Sequence, residues 1–317
     1  MDYINKFLSN AEPKKLSNLE KLTLSYSIIA QFKHELFDKN YKPRLKKEYY
    51  PESQLLDWMD IVSQTPIFKF FKHYFHVDIY GEKNIPDKTG ALLIANHATI
   101  FLADLAPIYI GVYEKKHRWL YGLAFKMLAD SDLLKTIGGV KGERDLGVKI
   151  LEEDNLAIAC PGGIVEACKP FYDNYKIMAV EGFSDDHCGY VKTAWVAKKP
   201  IIPVVSIGAE ETIFILGNIK PIVKIIIESL YKNPLLHNHP SFQRLYELVD
   251  FAKVIPLPLN LFPLKSKVTA YVGEPIDVRE LIGNSANQKD FAFVNKLVMT
   301  KLQKMINLNL KDKKSLK

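Results

Sequence analysis

The sequence predicts an α/β fold in which a mostly parallel central sheet is flanked by helices. Short apolar or β-rich runs recur at 77–80, 91–95, 118–123, 156–160, 201–207 and 267–272. Helix-like segments stand between them at 104–115, 125–136, 145–153 and 189–198, the third with Asp145 as a plausible N-cap. Strands that alternate with helices favour parallel pairing. The run Ala91-Leu92-Leu93-Ile94-Ala95 is apolar throughout, as a buried strand should be.

Residues 1–75 differ in texture, being Lys-rich with aromatic residues in helical patterns. Between 53 and 75 the apolar mass includes Leu55, Trp58, Ile61, Phe68, Phe70, Phe71 and Phe75, with Lys69, Lys72 and His73 among them. Pro66 should divide this stretch into two short helices. Trp and Phe beside Lys suit a helix lying in a membrane interface, with Trp58 and Phe70 as contacts, so an N-terminal helical membrane-docking segment is expected. A helical pair packed on the main domain is the alternative. The main domain is expected over 76–310, interrupted at 208–265 by an apolar, Pro-punctuated insertion. That insertion would line an apolar site, dip into lipid or form core. An amphipathic helix follows at 289–308, and 311–317 form a basic tail.

With 317 residues, 48% hydrophobic and 25% charged, the chain can bury a sizeable core. A net charge of +7 implies an anionic partner: nucleic acid, a membrane surface or a phosphate-bearing ligand. Basic residues are scattered rather than striped with aromatics, which argues against nucleic acid. Three cysteines, Cys160, Cys168 and Cys188, lack framework spacing and suit a reducing compartment. No run of 18 apolar residues occurs, and the N-terminus lacks the design of a signal peptide. Cytoplasmic location with peripheral (monotopic) membrane association is the expectation. The run Asp185-Asp186-His187-Cys188 has no second group at metal-ligand spacing, so no metal is expected. Neither Gly138-Gly139 nor Gly162-Gly163 carries a dinucleotide or P-loop fingerprint, and no Gly-x-Ser-x-Gly elbow occurs.

Two stretches carry chemistry. Asn96-His97 follows the run 91–95, with Asp104 seven residues on; Pro161-Gly162-Gly163 follows the run 156–160, with Glu166 close behind. Ligands of open parallel sheets bind at the carboxyl ends of strands, where both stretches fall. A neutral imidazole can take a proton from an attacking hydroxyl near pH 7, and a carboxylate on its other nitrogen fixes the tautomer. Along an unbroken helix the two side chains would lie about 10 Å apart. Contact therefore requires residues 98–103 to form a loop that folds His97 back, with Asp104 at the helix start; the alternative is that Asp104 only caps the helix. Consecutive N–H groups at Gly162-Gly163 could hold an oxyanion or phosphate, and Glu166 could position an acceptor or face the helix dipole.

These residues resemble the glycerolipid acyltransferase superfamily, and more narrowly its branch similar to monoacylglycerol and diacylglycerol acyltransferases. The first family motif matches Asn96, His97 and Asp104; the second is similar to Gly138-Gly139-Val140 with Arg144; the third matches Pro161, Gly162, Gly163 and Glu166; the fourth matches the run from Pro200 to Val205. The resemblance covers roughly residues 70–280, and its strength lies in the order and spacing of the motifs. It implies a glycerol-3-phosphate acyltransferase-like domain that moves an acyl group from acyl-CoA or acyl carrier protein to a glycerolipid hydroxyl. The acyl donor is then a substrate, and no cofactor is implied. His97 would be the base and Asp104 its orienter, while Asn96, Pro161, Gly162, Gly163 and Glu166 would shape the acceptor side. Arg144 and Lys169 would contact phosphates. The third motif carries no cation here, which points to a mono- or diacylglycerol acceptor. A lysophospholipid or lysophosphatidate acyltransferase is the alternative enzyme, and a non-catalytic lipid-binding or scaffold protein the alternative outside catalysis.

Overall fold

The computed structural model describes residues 15–38, 41–43, 45, 47–99, 103–124 and 131–315. Among them nine strands form: β1 (Asp78–Tyr80), β2 (Ala91–Ala95), β3 (Leu120–Ala124), β4 (Gly139–Lys141), β5 (Leu156–Ala159), β6 (Ile201–Ile207), β7 (Ile215–Asn218), β8 (Pro256–Pro258) and β9 (Thr269–Val272). Seven of them make one sheet in the order β1-β9-β6-β2-β5-β3-β4. The five from β6 to β4 run parallel, while β9 pairs antiparallel with β6 and parallel with β1. The sheet is thus mostly parallel, with an antiparallel excursion at one edge.

All six apolar runs of the sequence become strands. Alternation divides each between two cores: Leu92 and Ile94 of β2 face one, and Ala91, Leu93 and Ala95 the other. Ile201, Val205 and Ile207 of β6 join the first face, and Ile202 and Val204 the second. Helix Ala106–Lys116 covers the second face through Ile108 and Val112. Helices Arg144–Glu152, Gly189–Ala197 and Gln288–Ser315 cover the first through residues such as Ile150, Val191 and Val298.

Several expectations are corrected. Strand β4 and the pair β7–β8 were not foreseen, being short and carrying glycine or proline. Of the helix expected at 125–136, only Asp132–Thr136 is seen, and 125–130 lie outside the described residues. Glu143, not Asp145, is the N-cap of helix Arg144–Glu152, and it caps by backbone alone. The last helix runs through the expected tail to Ser315; Leu316 and Lys317 lie outside the described residues.

Pro66 does divide the N-terminal stretch, opening helix Pro66–Tyr74 after helix Glu52–Val62, with the Thr65 side chain accepting from Phe68 N–H. Trp58, however, is 2% exposed and sits in the first core with Leu24, Tyr50, Leu55 and Ile61, so it cannot reach lipid. Helix Glu52–Val62 is therefore packed into the main core, whereas helix Pro66–Tyr74 has no buried residue. One polar knot fastens helix Glu52–Val62: Arg118, two residues before β3, pairs with Glu52 at 3.0 Å and donates to the carbonyls of Pro86, Thr89 and Asp154. Glu52 also accepts from Trp119 N–H at 2.8 Å.

Among the described residues the insertion holds two longer helices, Lys220–Tyr231 and Pro240–Phe251, with the short helix Pro234–His237 between them, carried on the β7–β8 ribbon. Ile213, Ile215 and Val254 anchor it on Cys168, yet Ile222, Ile225, Leu248 and Phe251 stay exposed. Among the described residues no helix is long and apolar enough to cross a membrane.

Removing one member of a mostly buried ion pair strands its partner and costs about 3–5 kcal/mol. Arg118→Ala should therefore lower the urea-unfolding free energy by about 3 kcal/mol, since three carbonyls lose their donor as well.

Candidate active site

Strands β5, β2 and β6 are adjacent and parallel, so the chain leaving each arrives at one edge of the sheet. This brings together His97 after β2, the turn Cys160–Gly163 after β5, and Glu210 after β6. Asn96 pins the end of β2: its side-chain oxygen accepts from Ser206 N–H at 2.9 Å, continuing the ladder by one rung. Asn96 is buried and occupied by this bond, so it is a backbone brace rather than a substrate contact.

His97 and Asp104 meet. The imidazole Nδ1 lies 2.8 Å from Asp104 Oδ2, across the seven-residue interval. The same carboxylate accepts from Ala98 N–H at 2.7 Å and from Leu105 N–H at 3.0 Å. Helix Ala106–Lys116 takes Leu105, not Asp104, as its N-cap, so Asp104 organises the loop ahead of the helix. Ile100, Phe101 and Leu102, in the middle of that loop, lie outside the described residues. Asp104 is 0% exposed, and its carbonyl accepts from the Ser206 hydroxyl.

With Nδ1 facing a carboxylate, the neutral ring carries its proton there and leaves Nε2 as the basic nitrogen. Nε2 has no hydrogen-bond partner among the described residues, and the side chain is 17% exposed. Burial works against a proton on the ring, but Asp104 and Glu166 outweigh it, and the imidazole sits above its usual value. The neighbouring Cys160 is held as a thiol: burial pushes its ionisation up, and Asp104 and Glu166 add to the effect. It is a poor nucleophile.

The Gly-Gly turn is built differently from its sequence reading. Gly162 leaves room for the Glu166 carboxylate, which a Cβ there would meet at 2.1 Å. Gly163 has φ +54, and a Cβ on it would meet Glu181 at 2.0 Å. The space the glycines leave is thus filled by the protein's own acids rather than by a ligand. Gly163 N–H donates to the Cys160 carbonyl at 3.0 Å, so it is unavailable to an oxyanion, and the Pro161 carbonyl accepts from Gly182 N–H at 2.8 Å. Glu166 Oε2 accepts from His97 N–H at 3.0 Å, and its Oε1 from Met178 N–H at 3.4 Å. Glu166 is buried, so it braces the histidine's backbone and has no open face toward an acceptor.

The two proposed phosphate contacts separate. Lys169, with its side chain 2% exposed, is locked 2.6 Å from Glu210 and donates to the Lys176 carbonyl at 3.2 Å; it offers nothing to a phosphate in solvent. Arg144 is exposed beside Asp145, just after β4. Three strand spacings separate β4 from β2, on the order of 14 Å. It stands apart from the histidine and keeps its charge open to solvent.

Sequence reading missed Glu210 and Ser206. The signal was present: Ser206 interrupts the apolar run 201–207 one residue before its end, and Glu210 stands just past that run beyond Gly208, as His97 stands just past β2. Among the described residues no cluster of three His, Cys, Asp or Glu could hold a metal ion.

Burial pushes Glu210 up to about 7 against the pull of Lys169. An unfolded glutamate ionises near 4.5. Below that pH the carboxyl is protonated in both states and favours the fold; its contribution declines as pH climbs toward about 7. Lys169→Met removes the offsetting cation. It should cost about 3 kcal/mol or more near pH 8 and much less near pH 5, as urea unfolding at the two conditions would measure.

No protein-family model matches the chain. An uncharacterized protein of Mycobacterium tuberculosis is 28% identical over 232 residues, 71% of this chain and 58% of that protein. The chicken (Gallus gallus) protein named DGAT1/2-independent enzyme synthesizing storage lipids is 26% identical over 203 residues, 63% of this chain and 52% of that protein. The chain thus spans little more than half the length of these curated relatives. Among solved structures, the 1-acyl-sn-glycerophosphate (LPA) acyltransferase PlsC from Thermotoga maritima aligns with a TM-score of 0.47 at 12% identity, over 96% of this chain and 93% of that one. The similarity in sequence to the mycobacterial and chicken proteins spans 203 to 232 residues of this chain.

Proposed function

We propose that this protein is an O-acyltransferase that moves an acyl group from a thioester, acyl-CoA or acyl carrier protein, to the hydroxyl of a mono- or diacylglycerol. The observation that carries the reading is the His97–Asp104 contact, which leaves Nε2 as the basic nitrogen of a side chain 17% exposed at the strand edge. Nε2 takes the proton as the acceptor oxygen attacks the thioester carbonyl. The C–S bond then breaks, and the imidazolium returns its proton to the leaving thiolate. Ester and free thiol are the products, and no acyl-enzyme forms.

The neutral acceptor is favoured because the third motif supplies no cation and Lys169, the nearest one in sequence, is spent on Glu210. Arg144 remains free of the core and suits a phosphate of the donor. The storage-lipid name of the chicken relative points to the same acceptor class. Peripheral membrane association through the 66–75 segment fits an acceptor that lives in lipid, since Phe70 and Phe71 are exposed beside Lys69.

Thiol release from acyl-CoA, measured with monoacylglycerol, diacylglycerol and lysophosphatidate, tests the reading. His97→Ala should abolish turnover, a loss of about 10²–10⁴-fold or more. Unchanged turnover would remove the mechanism, lipid binding without turnover in the parent chain would leave a scaffold, and preference for lysophosphatidate would overturn the acceptor. In the parent, turnover should rise with pH through a midpoint above the ordinary imidazole value of 6.5. Asp104→Asn removes the charge that raises it, so the midpoint should move down while the plateau falls by about 10⁴-fold.

A further inference from the structure

The exposed apolar side chains include two groups far apart in sequence and joined in space. Phe70, 64% exposed, stacks on Tyr74 with ring centres 5.4 Å apart. The Tyr74 hydroxyl donates to the Pro263 carbonyl at 2.8 Å. Pro263 belongs to the tip that follows β8, where Leu259, Leu261 and Leu264 are exposed and Phe262 reaches 83%. A phenylalanine held almost fully in solvent beside three exposed leucines makes an apolar patch that calls for a partner.

Charge selects the partner. Neither 66–77 nor 251–273 contains a single Asp or Glu. Together they carry Lys69, Lys72, Lys253, Lys265 and Lys267; Lys72 and Lys253 are engaged by Glu114 and Glu181, while Lys69, Lys265 and Lys267 are exposed without an ion-pair partner among the described residues. Apolar tips on segments that carry lysines and no acid of their own match the headgroup and acyl layers of an anionic bilayer. The patch also adjoins the site: Phe75 packs with Ala98, the residue after His97, and with Val268 in one buried cluster.

We propose that the tip at 259–264 inserts into an anionic bilayer and, with Phe70 and Phe71, forms one lipid-facing surface beside His97. The proposal rests on the reading of 66–75 as lipid-facing and adds a second, sequence-distant anchor. Its role is to fix the orientation of the strand edge toward the lipid, since two contacts on either side of the Tyr74–Pro263 bond prevent rolling about one helix.

The test uses the intact chain with phosphatidylcholine vesicles, with and without phosphatidylserine, carrying brominated acyl chains that quench tryptophan. Phe262→Trp and Phe70→Trp are each compared with the parent, whose Trp58 and Trp119 are buried and whose half-buried Trp195 sets the background quenching to be subtracted. Quenching of both probes supports the proposal. Quenching at position 70 alone overturns it while leaving the 66–75 reading intact, and quenching at neither removes both. Phe262→Ser should weaken vesicle partitioning by roughly tenfold or more and leave turnover on detergent-dispersed acceptor unchanged, so failure of the anchor is separable from failure of the chemistry. Binding that ignores phosphatidylserine overturns the anionic preference. Should Phe262→Ser instead abolish self-association in sedimentation velocity with vesicle binding unaltered, the patch is an interface between copies and the proposal falls.

Discussion

One buried carboxylate organises the edge of the sheet where the candidate site lies. Asp104 accepts from the His97 ring and from the amides of Ala98 and Leu105, which closes the loop between β2 and helix Ala106–Lys116 upon itself. Three donors meet this one buried carboxylate, and each such hydrogen bond offsets part of the cost of taking it out of water. The seven-residue interval is then a consequence of loop geometry. The chain turns far enough for the histidine to lie over the helix entrance, and the helix starts where the acid has finished its work.

Around that contact the protein spends further buried charge on rigidity. Glu166 holds the His97 amide, Lys169 lies against Glu210, and Glu210 accepts from Tyr175 N–H. Two acids and one lysine in this space leave the carboxyls elevated and make the arrangement sensitive to loss of the cation. Such a network specifies one geometry, since any member left unpaired away from water is costly. The glycines of the Pro-Gly-Gly turn belong to the same economy: they make room for carboxylates.

The outer surface follows a different logic. The sheet is filled on both faces, and Leu45, Tyr50, Leu55, Trp58, Met59 and Ile61 complete one of them. Much of what remains apolar in solvent lies on helix Asn18–Phe37, helix Pro66–Tyr74, the insertion helices and the tip after β8. A core that is already complete has no use for these side chains, which is why their exposure carries information.

The sequence by itself determined the strand–helix alternation, the six principal strands, the break at Pro66 and the positions of His97 and the Gly-Gly turn at strand ends. Each is local: an apolar run, a missing N–H or a φ preference acts over a few residues. Short elements with mixed composition, β4 and the β7–β8 ribbon, were beyond it because their stability comes from partners rather than from their own pattern. Tertiary structure alone decided which charges meet. Lys169 could have faced a phosphate, and Asn96 a substrate, as far as the chain order goes; strand β6, arriving beside β2, supplied Glu210 and Ser206 and claimed both. A side chain's role depends on the nearest complementary group in space, and for these residues that group lies 41 and 110 positions away along the chain.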